Sequence, residues 1–194
     1  RDLNPALRGC YLKIGETEIL SNSPELFLHI DGKTKTIRST PIKGTAHIDG
    51  GESAKKKLLS SPKEKAELTM IVDLVRNDIG RIARPGTVKA GTRDLRLCGD
   101  LWHAEQTVSA NLAANKDIVD VVAATFPPGS VTGAPKVRAM QVIHRLEAQP
   151  RGVYTGALGW FADGGSAHFN VAIRTATVRD GYGRFHVGAG IVAD

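Results

Sequence analysis

Cysteines, aromatic residues and long apolar runs are all scarce in this sequence. The two cysteines, Cys10 and Cys98, lie far apart with no Cys-x-x-Cys pair. This excludes a zinc finger and favours a reducing compartment with free thiols. No run approaches the roughly 20 apolar residues of a membrane span, and no signal-peptide pattern is present. We therefore expect a cytoplasmic protein with no membrane partner.

The chain carries a formal net charge of +6, which raises the question of nucleic acid. Its basic residues are scattered apart from Lys55–Lys57 and the pair Lys63 and Lys65. Aromatic residues make up only 5% of the sequence, so they offer no stacking surface for single strands. A small anionic ligand accounts for the charge equally well, and we expect no nucleic-acid partner.

The length of 194 residues and the 41% apolar content suit one globular domain with its own core. Neither Arg1 nor Asp194 resembles a finished terminus. The expectation is a single domain over 1–194 that is incomplete at both ends.

Strand and helix patterns alternate along the chain and indicate an α+β fold with antiparallel sheets. A hairpin is predicted from 25–30 and 34–38, joined by the turn Asp31-Gly32-Lys33. A helix begins at the cap Ser61-Pro62 and keeps an apolar period of 3.6 as far as Gly80. Two more helices are predicted, over 117–125 and from Pro135. The last part of the chain predicts a meander of three strands, over 153–161, 167–177 and 184–193.

Lys43 lies within Pro41-Ile42-Lys43-Gly44-Thr45, where proline and glycine favour a tight, rigid loop. A lysine held in one direction and partly desolvated is a nucleophile at neutral pH. The alternative is a solvated surface lysine.

Residues 128–136 form a glycine-rich loop that opens a helix, where backbone N–H groups and Lys136 would favour an anion. The spacing is not that of a Walker A loop, so nucleotide binding is unsupported. A carboxylate ligand and simple helix capping both remain open.

Further polar residues have a structural and a functional interpretation. Glu67 lies at the border of the apolar stripe of the first predicted helix. It is either a metal ligand or an exposed carboxylate. His103 has a side chain suited to proton transfer near neutral pH. Arg174 lies inside an apolar strand and, if it points inward, needs an acidic partner or a bound anion. The bend Gly188-Ala189-Gly190 permits close approach of a ligand to the backbone, or is a plain bulge.

Seven segments in order together resemble the chorismate-utilising enzymes: SPELF, PIKGT, MIVDLVRNDIGR, FPPGSVTGAPKVRAM, RGVYTGALGW, NVAIRTA and GAGIVAD. The resemblance covers nearly the whole chain. It implies Mg²⁺-dependent chemistry on the chorismate ring and a fold of antiparallel sheets flanked by helices.

Within that family, a lysine at the third position of PIKGT resembles the branch that forms aminodeoxychorismate for folate, whereas the anthranilate-forming branch usually has alanine. The resemblance implies that Lys43 adds to the chorismate ring and that ammonia, supplied by a glutaminase partner, then displaces it. Anthranilate formation and a non-catalytic chorismate-binding fragment are the alternatives.

The resemblance also implies roles for other residues. Glu25 would be the general acid/base and Glu67 a Mg²⁺ ligand. The remaining substrate-binding positions would be Gln106, Thr132, Tyr154, Arg174, Gly188 and Gly190. Gln106 is placed where the family has a histidine, with His103 able to compensate. A second Mg²⁺ carboxylate is expected beyond Asp194.

Overall fold

A computed structural model describes residues 8–191 of the chain. The helices are α1 (Gly51–Ser60), α2 (Pro62–Gly80), α3 (Ile118–Thr125) and α4 (Lys136–Leu146), with short 3₁₀ turns at Ile48–Gly50 and Gly129–Val131. The strands are β1 (Cys10–Ile14), β2 (Thr17–Ser21), β3 (Leu26–Asp31), β4 (Thr36–Thr40), β5 (Ile42–His47), β6 (Lys89–Cys98), β7 (Leu101–Asn111), β8 (Ala157–Phe161), β9 (Ala167–Val171), β10 (Thr175–Arg179) and β11 (Tyr182–Phe185).

The strands form two sheets, and every pairing in residues 8–191 is antiparallel. The larger sheet has the order β5-β7-β4-β3-β9-β8, with β6 paired to β7, and the smaller has the order β1-β2-β10-β11. This confirms the α+β expectation. None of the helices in the described part of the chain is long and apolar enough to cross a membrane.

Helix α2 forms as its sequence predicts and packs on the larger sheet. The Ser61 hydroxyl accepts a hydrogen bond from the backbone of Glu64, and Pro62 occupies the first turn. The apolar stripe is buried against sheet residues such as Ile37 and Val108, both with no exposed surface. The rigid helix therefore supports the back of the sheet that carries β5 and β7.

The hairpin of β3 and β4 is confirmed, but the loop predicted around Lys43 is wrong. Residues 42–47 form strand β5, which pairs with β7 and carries an irregularity between Ile42 and Thr45. Gly44 at this point has φ +80°, and a Cβ there would meet the side chains of Leu58 and Glu64. The glycine bulges the strand rather than ending it, and Lys43 is therefore held by the sheet.

The predicted meander is also wrong, because the chain changes sheets at Arg174. Residues 167–177 form β9 in the larger sheet and β10 in the smaller one, and Arg174 between them has φ +49°. Strand β8 begins only at Ala157, and β11 ends at Phe185. Residues 192 and 193 of the last predicted strand lie outside the described residues. The C-terminal part is thus two hairpins in two sheets, joined at an arginine.

Candidate functional site

A cleft of about 720 Å³ opens where the two sheets, the glycine-rich loop and α4 meet. Each wall comes from a different part of the fold. Seven of the nine residues assigned to a site from the sequence line it: Glu25, Lys43, Thr132, Tyr154, Arg174, Gly188 and Gly190. His103 lines it as well. The fold therefore brings together residues that are up to 165 positions apart in the chain.

Glu25 immediately precedes β3 and is only 4% exposed. Burial raises the pKa of its carboxyl group to about 7, although a hydrogen bond to the Ser130 side chain and the Lys43 charge act in the opposite direction. A carboxyl group that titrates near neutral pH can both give and take a proton in this cleft.

Lys43 is half-buried on β5, with its amine toward the segment 187–191. A Cβ built on Gly190 would lie 3.4 Å from the Lys43 Nζ. Within residues 8–191, the Lys43 side chain forms neither a hydrogen bond nor an ion pair. Its amine is directed by the strand and the neighbouring backbone, and it remains available to a ligand.

Arg174 and His103 meet on one side of the cleft. The Arg174 Nη2 and the His103 Nε2 are 3.5 Å apart, and the Thr45 hydroxyl lies 3.3 Å from the His103 Nδ1. His103 is 3% exposed, and burial followed by the Arg174 charge lowers the pKa of its imidazole. The imidazole is therefore neutral at pH 7, while Arg174 supplies a positive charge for an anion.

Tyr154 and the segment near Gly188 close the far side. The Tyr154 ring stacks on His186, with ring centroids 5.3 Å apart. A Cβ on Gly188 would lie 2.6 Å from the Tyr154 hydroxyl oxygen, so a side chain at this position requires the tyrosine to shift. The Tyr154 hydroxyl is thus fixed next to backbone that carries no side chain.

The glycine-rich loop contributes Thr132 but not the charge of Lys136. The Thr132 hydroxyl donates to the carbonyl oxygens of Pro128 and Gly129, at 3.2 Å each, which tightens the loop. The Lys136 Nζ lies 2.5 Å from the Asp78 carboxylate and 2.8 Å from the Thr125 carbonyl oxygen. Its charge is neutralised inside the fold, which corrects the expectation that it serves an anion.

Gln106 is not brought to the cleft, contrary to the sequence expectation. It lies on β7 three residues after His103, and successive residues of a strand point to opposite faces. Its side-chain amide donates to the Gly91 carbonyl oxygen at 2.8 Å on β6. His103, on the other face of β7, is the histidine that the cleft contains.

Glu67 lies outside the cleft lining, half-buried on the side of α2 that faces it. Glu64, one turn earlier, approaches Gly44, and Leu74, two turns later, approaches Gly129. Among residues 8–191 no group of three or more His, Cys, Asp or Glu side chains could hold a metal ion. Glu25 and Glu147 are the two carboxyl groups among the described residues that line the cleft, and Glu67 lies outside its lining.

The sequence analysis missed several polar residues of the cleft, among them Ser130 and Arg151. Ser130 hydrogen-bonds the Glu25 carboxyl group, and Arg151 lines the cleft between the glycine-rich loop and Tyr154. Both occur inside quoted motifs, FPPGSVTGAPKVRAM and RGVYTGALGW, but a motif does not say which of its residues face a cleft.

Comparison with known proteins identifies the family of this chain. The family described as chorismate binding enzyme matches residues 1–194. The chain is 40% identical to anthranilate synthase component 1 of Streptomyces coelicolor, over 100% of the chain and 39% of that protein. It is 37% identical to aminodeoxychorismate synthase component 1 of Bacillus subtilis, over 100% of the chain and 42% of that protein.

A solved structure gives the same result for the fold. Anthranilate synthase component I from Streptococcus pneumoniae superposes with a TM-score of 0.85 at 33% identity, over 94% of this chain and 41% of that one. The chain belongs to the chorismate binding enzyme family, as its motifs predicted. It spans about two fifths of the length of these relatives.

Proposed function

We propose that this chain carries the catalytic cleft of an aminodeoxychorismate-forming synthase, which converts chorismate and ammonia to 4-amino-4-deoxychorismate and water. The observation that carries the proposal is Lys43, whose amine lines the same cleft as the buried Glu25 carboxyl group. Relatives named for aminodeoxychorismate synthesis support it as well.

The proposed first step is an attack by Lys43. Its neutral amine forms a bond from Nζ to C2 of the ring, and the conjugated double bonds shift as the bond from C4 to the hydroxyl oxygen breaks. Protonated Glu25 donates the proton that turns the departing hydroxyl into water. A pKa of about 7 leaves a large share of Glu25 protonated at neutral pH.

In the second step ammonia attacks C4, the double bonds shift back, and the bond between C2 and Nζ breaks. The Glu25 carboxylate accepts a proton from the incoming nitrogen. Lys43 leaves as a neutral amine, so both residues return to their starting states. The enolpyruvyl group is retained, because no step touches the bond between C3 and its oxygen.

The other cleft residues would bind and orient the substrate. Arg174 and Tyr154 would hold the enolpyruvyl carboxylate, since a guanidinium and a hydroxyl are both donors to carboxylate oxygens. Thr132 and the backbone near Gly188 and Gly190 would complete the anion sites. His103 would hydrogen-bond the ring hydroxyl through its neutral imidazole.

Magnesium and a glutaminase are further parts of the proposal. Mg²⁺ is commonly bound through one or two protein carboxylates together with water and substrate oxygens, and Glu67 would be one such ligand. When bound, the ion would neutralise the charge of the ring carboxylate. A glutaminase subunit would supply the ammonia, as the "component 1" names of relatives suggest for those proteins.

Anthranilate formation is the second candidate, favoured by the 40% identity to an anthranilate synthase component. The products separate the two candidates. The protein that carries this chain is incubated with chorismate, Mg²⁺ and ammonium, and the products are resolved by chromatography and mass spectrometry. Aminodeoxychorismate without pyruvate is the expected result. Anthranilate with an equivalent of pyruvate would overturn the proposal, and no turnover by the intact protein would favour a non-catalytic chorismate-binding role.

A further inference from the structure

Arg151 ties together three segments that surround the cleft. Its Nε and Nη2 donate to the two carboxylate oxygens of Glu147, at 2.8 and 2.5 Å. Its Nη1 donates to the Val131 carbonyl oxygen at 3.0 Å and to the Thr155 hydroxyl at 3.3 Å. One guanidinium thus spans the end of α4, the glycine-rich loop and the turn before β8.

Two of these partners are direct neighbours of proposed substrate-binding residues. Val131 precedes Thr132 in the glycine-rich loop, and Thr155 follows Tyr154. Thr155 is itself held in an unusual backbone conformation, with φ +65° and an N–H bond to the Ala172 carbonyl oxygen at 2.9 Å. The distance between the two walls of the cleft therefore depends on bonds to a single side chain.

The ion pair between Arg151 and Glu147 adds little to the stability of the fold. The Glu147 side chain is 40% exposed, and ion pairs at such positions contribute little to stability. Their consequence is geometric, because a bidentate carboxylate fixes the plane of the guanidinium. That plane aims Nη1 at Val131 and Thr155, an arrangement that the single amine of a lysine cannot reproduce.

We propose that Arg151 is a positioning residue that sets the separation of Thr132 and Tyr154 and thereby the affinity of the cleft for its anionic substrate. The inference rests on the proposed function, in which those two residues bind chorismate. Arg151 acts through Val131 and Thr155, and four of its five N–H groups are directed at protein acceptors.

The experiment measures steady-state kinetics with chorismate and ammonium, together with chorismate binding by calorimetry and the melting temperature. Arg151→Lys keeps the positive charge but replaces the planar guanidinium and its several N–H donors with a single amine. The double variant Glu147→Arg/Arg151→Glu restores an ion pair but cannot donate to the Val131 carbonyl oxygen. Arg138→Ala is the matched control, since Arg138 on α4 bonds only Gln141 of the same helix within residues 8–191.

We expect Arg151→Lys to raise KM and the dissociation constant about tenfold, as loss of two positioning bonds implies, with kcat within about twofold. The double variant should keep the raised KM, because it restores an ion pair but no donor to the Val131 carbonyl oxygen. Arg138→Ala should match wild type.

A wild-type KM in Arg151→Lys, or a KM restored by the double variant, would overturn the inference. If Arg151→Lys does not fold, Glu147→Gln replaces it, with a smaller rise in KM expected and an unchanged KM counting against the inference. Failure of the proposed function is distinguishable, because the wild-type protein would then form no aminodeoxychorismate while the control and variants could still be compared by chorismate binding.

Discussion

Glu25 and Lys43 line the same cleft, and the charge of the Lys43 amine partly offsets the rise in pKa that burial imposes on the Glu25 carboxyl group. The Glu25 carboxyl group, with a pKa of about 7, can donate or accept a proton near neutral pH. The proposed reaction uses both states of Glu25, the acid in the first step and the carboxylate in the second, and it uses the Lys43 amine as the nucleophile.

Glu25 should govern the pH dependence of the reaction. The departing hydroxyl needs the protonated carboxyl group, so kcat/KM for chorismate should fall as the pH rises above about 7. Glu25→Gln should lower kcat by about 10²- to 10⁴-fold and remove this limb of the profile. If the fall in kcat/KM above about pH 7 persisted unchanged in Glu25→Gln, the titration would belong to another group.

The same ionisation should appear in the stability of the protein, which provides an independent check. The pKa of Glu25 is higher in the folded state, about 7, than its ordinary value of 4.5. Its stabilising contribution is therefore fully present below pH 4.5 and is lost as the pH rises through about 7. Urea unfolding should show a loss of roughly 3 kcal/mol over this range in wild type relative to Glu25→Gln. If the free energies of unfolding of wild type and Glu25→Gln changed in parallel with pH, the assignment of this titration to Glu25 would be contradicted.

His103 and Gln106 should respond differently to substitution, because only His103 lines the cleft. We expect His103→Ala to reduce kcat/KM at least tenfold, through loss of a hydrogen bond to the substrate. Gln106→Ala should stay within about twofold of wild type, since it bonds the Gly91 carbonyl oxygen on β6. Kinetics of the two variants under identical conditions test this, and the reverse order of effects would contradict the placement.

A side chain at Gly188 should displace Tyr154 and weaken chorismate binding. A Cβ there would lie 2.6 Å from the Tyr154 hydroxyl oxygen, so the tyrosine must move. We expect Gly188→Ala to raise KM for chorismate about tenfold, equivalent to about 1.4 kcal/mol. Gly183→Ala is the matched control, because a Cβ at Gly183 meets nothing within 4 Å. Equal KM values in the two variants would show that the Tyr154 hydroxyl does not contribute to binding.

Lys136 should be a structural residue. Its side chain is 12% exposed and that of Asp78 is 7% exposed, so Lys136→Met leaves a buried carboxylate with only its longer contact to Arg81, at 3.3 Å. We expect a loss of about 3–5 kcal/mol in the free energy of unfolding, and a smaller loss in Asp78→Leu/Lys136→Met. Arg76→Met serves as the control, because the pair of Arg76 with Asp73 is exposed and should matter by less than about 1 kcal/mol. A salt-sensitive, small effect of Lys136→Met would contradict a buried pair.

Local signals in the sequence were sufficient to predict α2, α3 and α4, whereas α1 (Gly51–Ser60) was not predicted. Ser61 and Pro62 mark the start of α2, and Asp117 caps α3 by accepting from the backbone N–H groups of Val119 and Asp120. These signals involve residues that are adjacent in the chain, so no knowledge of the tertiary fold is needed to interpret them.

The change of sheet at Arg174 could not be predicted in this way. The residues around it are apolar and compatible with one long strand, and nothing in an arginine signals a positive φ. The conformation of Arg174 is determined by strands that are remote in the sequence, because β9 pairs with β3 and β10 pairs with β2. Non-local pairing of this kind leaves no pattern within the segment itself.

The candidate site was predicted largely from the family resemblance, and the error at Gln106 has a simple geometric cause. A shift by an odd number of residues in a strand moves a side chain to the other face of the sheet. Gln106 and His103 are three residues apart on β7, so the assignment to Gln106 selected the wrong face. Arg151 was missed because its partners, Glu147, Val131 and Thr155, come from three separate segments.

The most direct test of the account is the intact mass of the protein after brief exposure to chorismate and Mg²⁺ without ammonium, for wild type and Lys43→Ala. The account predicts a wild-type adduct of chorismate minus water, located on Lys43 by peptide mapping and discharged to aminodeoxychorismate when ammonium is added. Lys43→Ala should show neither adduct nor product, and Lys56→Ala should behave as wild type. Unimpaired turnover of chorismate by Lys43→Ala, without any adduct on wild type, would contradict the account.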